Sequence, residues 1–170
     1  MGYNNTCPEY FLNGKKLECV SEGKDLGVIV SDDLKWEQQC SQTVAKANKV
    51  IGLIKRNFTD RSKETIIRSF KSLVEPHLEY CCPIWNPHYI KDIILVESVQ
   101  RHATKIVWGM ENLHYEERLK RLGLMLLDRR RVKSDLLETF KIINGYYDFT
   151  VDTFLNLMML EEEDIAISYS

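Results

Sequence analysis

Cys40, Val44, Ala47, Ile51, Ile54 and Phe58 recur at spacings of 4, 3, 4, 3 and 4. Only a helix puts residues so spaced on one face, because each turn takes 3.6 residues. This stripe constrains the chain more than any other feature. A helix with a continuous apolar face needs other elements to cover it. The sequence offers mostly more helices to do so. Ile66, Phe70, Leu73 and Val74 form the inner face of a second helix, starting near Ser62. Pro76 should end or kink it, since proline lacks the N–H and its ring clashes with the preceding turn. A third helix spans Ile90 to Trp108, with Val96, Val99, Ala103 and Ile106 inward and Gly109 as its stop. A fourth covers Tyr115 to Leu122 and ends at Gly123. A fifth runs from Asp128 to Asn144, with Val132, Leu136, Phe140 and Ile143 inward and Gly145 closing it.

Strand signals are confined to the N-terminal part. Tyr10-Phe11-Leu12 and Lys16-Leu17-Glu18-Cys19-Val20 flank Asn13-Gly14, a pair suited to the φ > 0 geometry of a tight hairpin. Leu26-Gly27-Val28-Ile29-Val30 reads as a third short strand. Three strands leave open edges unless something packs on them. The predicted fold is therefore mainly α, a bundle of about five helices with a small N-terminal hairpin and strand region. The segments are residues 1–33, the strand part; 34–145, the helical domain; and 146–170, a tail. The tail is apolar from Phe154 to Leu160 and acidic from Glu161 to Asp164.

Chemistry is harder to find. Asp32-Asp33 follows an apolar strand, as a two-metal carboxylate pair would. However, Val30 stands where a polymerase has an aromatic residue, and no apolar strand returns. The pair is expected to cap the first helix instead. His77, Cys81, Cys82 and His88 have poor zinc spacing, with no Cys-x2-Cys pair, so Cys81 and Cys82 are expected to be buried structurally. Trp36, Trp85 and Trp108 are expected in the core or its joints rather than as base-stacking platforms. No nucleophile motif or phosphate-cradling glycine loop occurs, and no cofactor or small-molecule substrate is expected. Five cysteines without a signal-like start predict reduced thiols in an intracellular, non-secreted protein, and no apolar run is long enough for a membrane span.

Charge is uneven. Residues 46–133 hold 18 Lys and Arg against 10 Asp and Glu, while the rest of the chain is acidic. Solvated helix faces would account for this, and so would a polyanion partner. The candidate contacts are Lys49 and Arg56 on the first helix, Arg101 and Lys105 on the third, and Arg129, Arg130 and Arg131 at the start of the fifth. Three arginines in a first helical turn oppose the helix dipole. A compensating anion, phosphate or carboxylate, is expected beside them.

Ser72-Leu73-Val74-Glu75-Pro76-His77-Leu78-Glu79-Tyr80-Cys81, running into Trp85-Asn86-Pro87, follows Lys24-Asp25-Leu26-Gly27-Val28-Ile29-Val30-Ser31-Asp32-Asp33-Leu34. Val99-Gln100-Arg101-His102-Ala103-Thr104-Lys105, then Tyr115 to Leu124, then Arg130-Arg131 ahead of Asp135-Leu136, come after in order. This succession resembles the reverse transcriptases of non-LTR (LINE-type, jockey-like) retrotransposons, in the part that follows the catalytic palm. It covers Tyr10 to Gly145. The resemblance implies a thumb-like helical domain that grips a template–primer duplex. It also implies a primer-grip role for Leu26, Gly27 and Val28, where the residues alone also fit an ordinary glycine in an edge strand. The family's aromatic-X-Asp-Asp hairpin would lie ahead of this segment, so no catalytic residue is expected here. The alternative is a helical interaction or orphan protein, derived from a retroelement and without a nucleic-acid role, whose exposed palm-facing surface meets another protein. Lys49, Arg56, Arg101, Lys105 and Arg129 on one face would favour nucleic acid. Scattered charges with an exposed apolar patch at Leu26 to Val30 would favour protein.

Overall fold

A computed structural model describes residues 9–147. Two short antiparallel hairpins precede the helices. β1 (Phe11–Leu12) pairs with β2 (Lys15–Lys16), and β3 (Glu22–Asp25) with β4 (Val28–Ser31). Asn13 and Gly14 both have positive φ, as the Asn-Gly signal demands. Leu26 and Gly27 also have positive φ and form the second turn, so the expected third strand is a hairpin tip followed by β4.

The helices are α1 (Glu37–Asn57), α2 (Lys63–Ser69), a π-type turn (Phe70–Val74), α3 (Glu75–Glu79), α4 (Ile90–Thr104), α5 (Tyr115–Leu122) and α6 (Leu127–Ile143). The mainly helical expectation holds. By contact, the described residues divide into two compact units, one up to Arg131 and a second from Val132.

The first unit has one core. The α1 stripe is buried at Cys40, Val44, Ala47, Ile51 and Ile54, and packs against Val96, Val99 and Ala103 of α4 and against Phe70, Val74 and Leu78. Val28 of β4 joins the same core. The outer edge of β4 meets α1, where the Gln39 side chain accepts from Ile29 N–H at 2.9 Å. A buried backbone donor is thus satisfied without a further strand.

Pro76 does not stop its helix. Backbone dihedrals stay helical from α2 into α3, and Glu75 N–H reaches back five residues to Phe70 O. The wider turn sits just ahead of Pro76. It relieves the clash of a proline ring with the carbonyl four residues back. It also changes the helix phase. Ile66, Phe70, Val74 and Leu78 now share the buried face, and Leu73, expected inward, is exposed.

Three further expectations are corrected. Asp32-Asp33 does not cap α1: the helix starts after Trp36, and the Asp33 carboxylate accepts from Lys35 N–H at 3.0 Å and Lys35 Nζ at 2.8 Å. α4 ends four residues early in tight turns, with Lys105 N–H to His102 O and Ile106 N–H to Ala103 O. The α6 residues Val132, Leu136, Phe140 and Ile143, expected inward, are exposed, Leu136 to 66%. Trp85 is fully buried, its indole N–H donating to Tyr80 O at 2.6 Å, but Trp108 is 59% exposed. The apolar and acidic tail segments, Phe154 to Leu160 and Glu161 to Asp164, lie outside the described residues.

Candidate nucleic-acid interface

Two contacts fix the direction of α1 and α4. Glu37 and Lys91 pair at 2.6 Å near their starts, and Trp108 N–H donates to Arg61 O at 3.1 Å beyond their ends. The two helices therefore run side by side in the same direction. Lys63 Nζ donates to Arg121 O at 2.7 Å, which brings the end of α5 to the same loop. Three helix C-termini thus converge on residues 61–63. Each carries basic side chains in its last turn: Lys55 and Arg56, Arg101 and His102, Lys120 and Arg121.

Cations at helix C-termini are stabilising by about 0.3–1 kcal/mol each, and this accounts for part of the pattern. It does not account for Lys49, which is mid-helix, or Arg61, which is off the helix. These two join Lys55 and Arg56 around a shallow depression completed by Gly52 and Leu53. Among the described residues no carboxylate lines it. Asp60, next to Arg61, is turned to its own chain. Its carboxylate accepts from the Thr65 hydroxyl and from Ser62 N–H and Oγ, and those bonds hold its pKa below the usual aspartate value. A second depression, on α2, is lined by Lys63, Glu64, Ile67, Arg68, Lys71 and Ser72. Arg61 and Lys63 are two residues apart, so no more than roughly 7 Å of chain separates the two linings. Seven cations against one carboxylate then follow one another across this surface.

The other candidates fall elsewhere. Arg101 lies over the Tyr115 ring, 4.6 Å from its centroid, and Lys105 is exposed at the end of α4. Arg129 is exposed in the first turn of α6. That turn is anchored away from the basic loop, by Leu127 N–H on the Glu97 carboxylate at 2.9 Å. Arg130 is held by the carboxylates of Glu75 and Glu79. Arg131 is 5% exposed. Its Nε donates to Cys82 Sγ at 2.9 Å, and its guanidinium lies 5.1 Å from the Trp85 ring centroid. Arg130 and Arg131 are thus engaged inside the fold. The anion expected beside the arginines is, at Arg130, the pair of α3 carboxylates Glu75 and Glu79.

Beside this, Glu97 forms a buried polar knot. Its carboxylate also accepts from the Tyr115 hydroxyl and from Gln100 Nε2, while Gln100 Nε2 reaches Met125 O at 2.9 Å. Burial, then the Glu97 carboxylate, push the Tyr115 phenol pKa up.

Leu26-Gly27-Val28 is a pinned turn. Tyr80 donates from its hydroxyl to Leu26 O at 2.7 Å, and a Cβ on Gly27 would meet the Tyr80 ring at 3.5 Å. The segments 24–34 and 72–81 therefore meet in space. Leu26 is exposed, but Val28 is buried and Ile29 and Val30 are half-buried, so the apolar patch considered there reduces to the turn tip.

Sequence reasoning missed Lys55, Arg61, Lys63, Arg68 and Lys71. Arg68 and Lys71, three apart on one helix, were the available signal. Among the described residues no cluster of His, Cys, Asp or Glu is placed to hold a metal ion, and no helix is long and apolar enough to cross a membrane. Compared with known proteins, the chain matches no family model, no curated protein and no solved structure.

Proposed function

We propose that this chain is a thumb-like, post-palm piece of a non-LTR retrotransposon reverse transcriptase, and that it binds nucleic-acid duplexes through their phosphates. The observation that carries the binding reading is the depression lined by Lys49, Lys55, Arg56 and Arg61, with no carboxylate among the described residues that line it. Cations that face no internal partner gain affinity for a polyanion by releasing its condensed counterions. Arg101 and Lys105 lie outside the two depressions, and Arg130 and Arg131 take no part. Phosphate contacts carry no base information, so binding is indifferent to sequence. On this reading the chain alone has no polymerase chemistry.

The test is fluorescence anisotropy with an RNA–DNA hybrid and two DNA duplexes of unrelated sequence. The triple variant Lys49→Glu, Arg56→Glu, Arg61→Glu should bind all three at least about tenfold more weakly. Unchanged affinity, or a loss confined to one sequence, counts against the proposal. A second reading has one observation in its favour. The exposed stripe Val132, Leu136, Phe140 and Ile143 on α6 fits a helix that docks on a protein. If it is right, polar substitutions at Leu136 and Phe140 disrupt partner binding, and the charge reversal leaves it intact.

A further inference from the structure

Trp108 is the one tryptophan of the three that the fold leaves mostly open to solvent. Its exposure is not that of a loose segment. Ile106 and Val107, just before it, are buried in the core, and Met110 N–H closes a turn onto Val107 O at 3.1 Å. Trp108's own N–H is bonded to Arg61 O. The indole is thus carried on fixed backbone that is hydrogen-bonded to Arg61, a residue that lines the basic depression. Phe58, also exposed, caps α1 three residues before Arg61. Rigid exposed aromatics set among cations offer bases a stacking surface while the cations hold the backbone.

We infer that Trp108 is a base-stacking platform, and that the surface at residues 55–61 and 108 takes unpaired nucleotides in preference to closed duplex. The inference rests on the polyanion reading above and adds to its duplex ligand a preferred one: single-stranded DNA or RNA, or a duplex end with unpaired bases. A base inside a duplex has both faces covered by its neighbours, so it offers nothing to the indole. An unpaired base has a free face, and every base has one, so stacking adds affinity without sequence preference.

Four ligands are compared on the full chain by anisotropy: an oligo-dT strand, an oligo-U strand, an abasic strand of equal charge and a closed-hairpin duplex. Trp108→Ala should weaken the oligo-dT and oligo-U complexes by roughly five- to a hundredfold. It should leave the abasic and duplex complexes unchanged, and Trp108→Phe should recover part of the loss. Wild-type indole emission should be quenched by oligo-dT and not by the abasic strand. Circular dichroism melting of Trp108→Ala should match wild type, since an exposed side chain is removed. Equal effects of Trp108→Ala on all four ligands, or none on any, overturn the stacking role. If the Lys49, Arg56, Arg61 reversal still weakens every complex, the polyanion reading survives that failure. A wild-type chain that binds none of the four overturns both.

Discussion

Glu97→Gln removes one charge and no volume from the core, yet it should be costly. The carboxylate accepts from Tyr115 Oη and Gln100 Nε2 on one oxygen and from Leu127 N–H on the other. Glutamine has one acceptor oxygen. If that oxygen keeps Tyr115 and Gln100, its NH2 faces Leu127 N–H, donor against donor. Leu127 opens α6, so its N–H has no partner within its own helix, and the carboxylate also complements the helix dipole. A lost charged hydrogen bond and a stranded buried N–H together give about 2–4 kcal/mol. For a domain of this size that lowers Tm by about 6–15 °C. Urea unfolding followed by circular dichroism measures it. Tyr115→Phe alone should cost about 1 kcal/mol, and the double variant should cost less than the two singles combined. A Glu97→Gln protein within about 0.5 kcal/mol of wild type, or strict additivity with Tyr115→Phe, would refute the network.

Three further outcomes follow. Burial, then Asp92, push the Cys40 thiol from 9.0 to about 11. A raised folded pKa means stability that is intact below pH 9.0 and lost as pH rises through about 11, worth about 2–3 kcal/mol. Cys40→Ala should flatten that part of the curve, and an identical curve with and without the thiol would contradict the assignment. Hydrogen exchange should protect α1 and α4 more than the β1–β2 hairpin and the exposed half of α6 beyond Val132; uniform protection would show a differently placed core. Primer extension on an RNA template with Mg²⁺ or Mn²⁺ should give no product, and extension abolished by Asp32→Asn and Asp33→Asn would defeat the palm-less reading.

The helices were legible where periodicity and punctuation agreed. The α1 stripe from Cys40 to Ile54, a second helix starting near Ser62, and Gly123 after α5 stand as the sequence predicts, whereas Phe58, the last member of the stripe, is exposed. Periodicity says that a face is apolar, not what covers it, so the open stripe of α6 was read as core. The phase of the helix through Pro76 depends on a π-type turn that no residue pattern announces. The basic surface was half legible. Lys49 and Arg56 could be paired along one helix, but Arg61 joins them through a loop return. The partners of Arg130 and Arg131 come from 49 to 55 residues away in sequence. Trp108, expected in the core or a joint, is exposed because α4 ends at Thr104 and the chain leaves it in tight turns that the apolar spacing through Ile106 does not announce.

Salt dependence tests the central claim most directly. If the four cations of the depression each neutralise a phosphate on B-form DNA, log K should fall against log[salt] with a slope of about -3.6. Between about 50 and 200 mM salt, affinity then drops roughly 150-fold. Arg61→Gln should make the slope shallower by about 0.9, equally on every duplex sequence. A slope near zero, or one that the loss of Arg61 leaves untouched, would contradict the account.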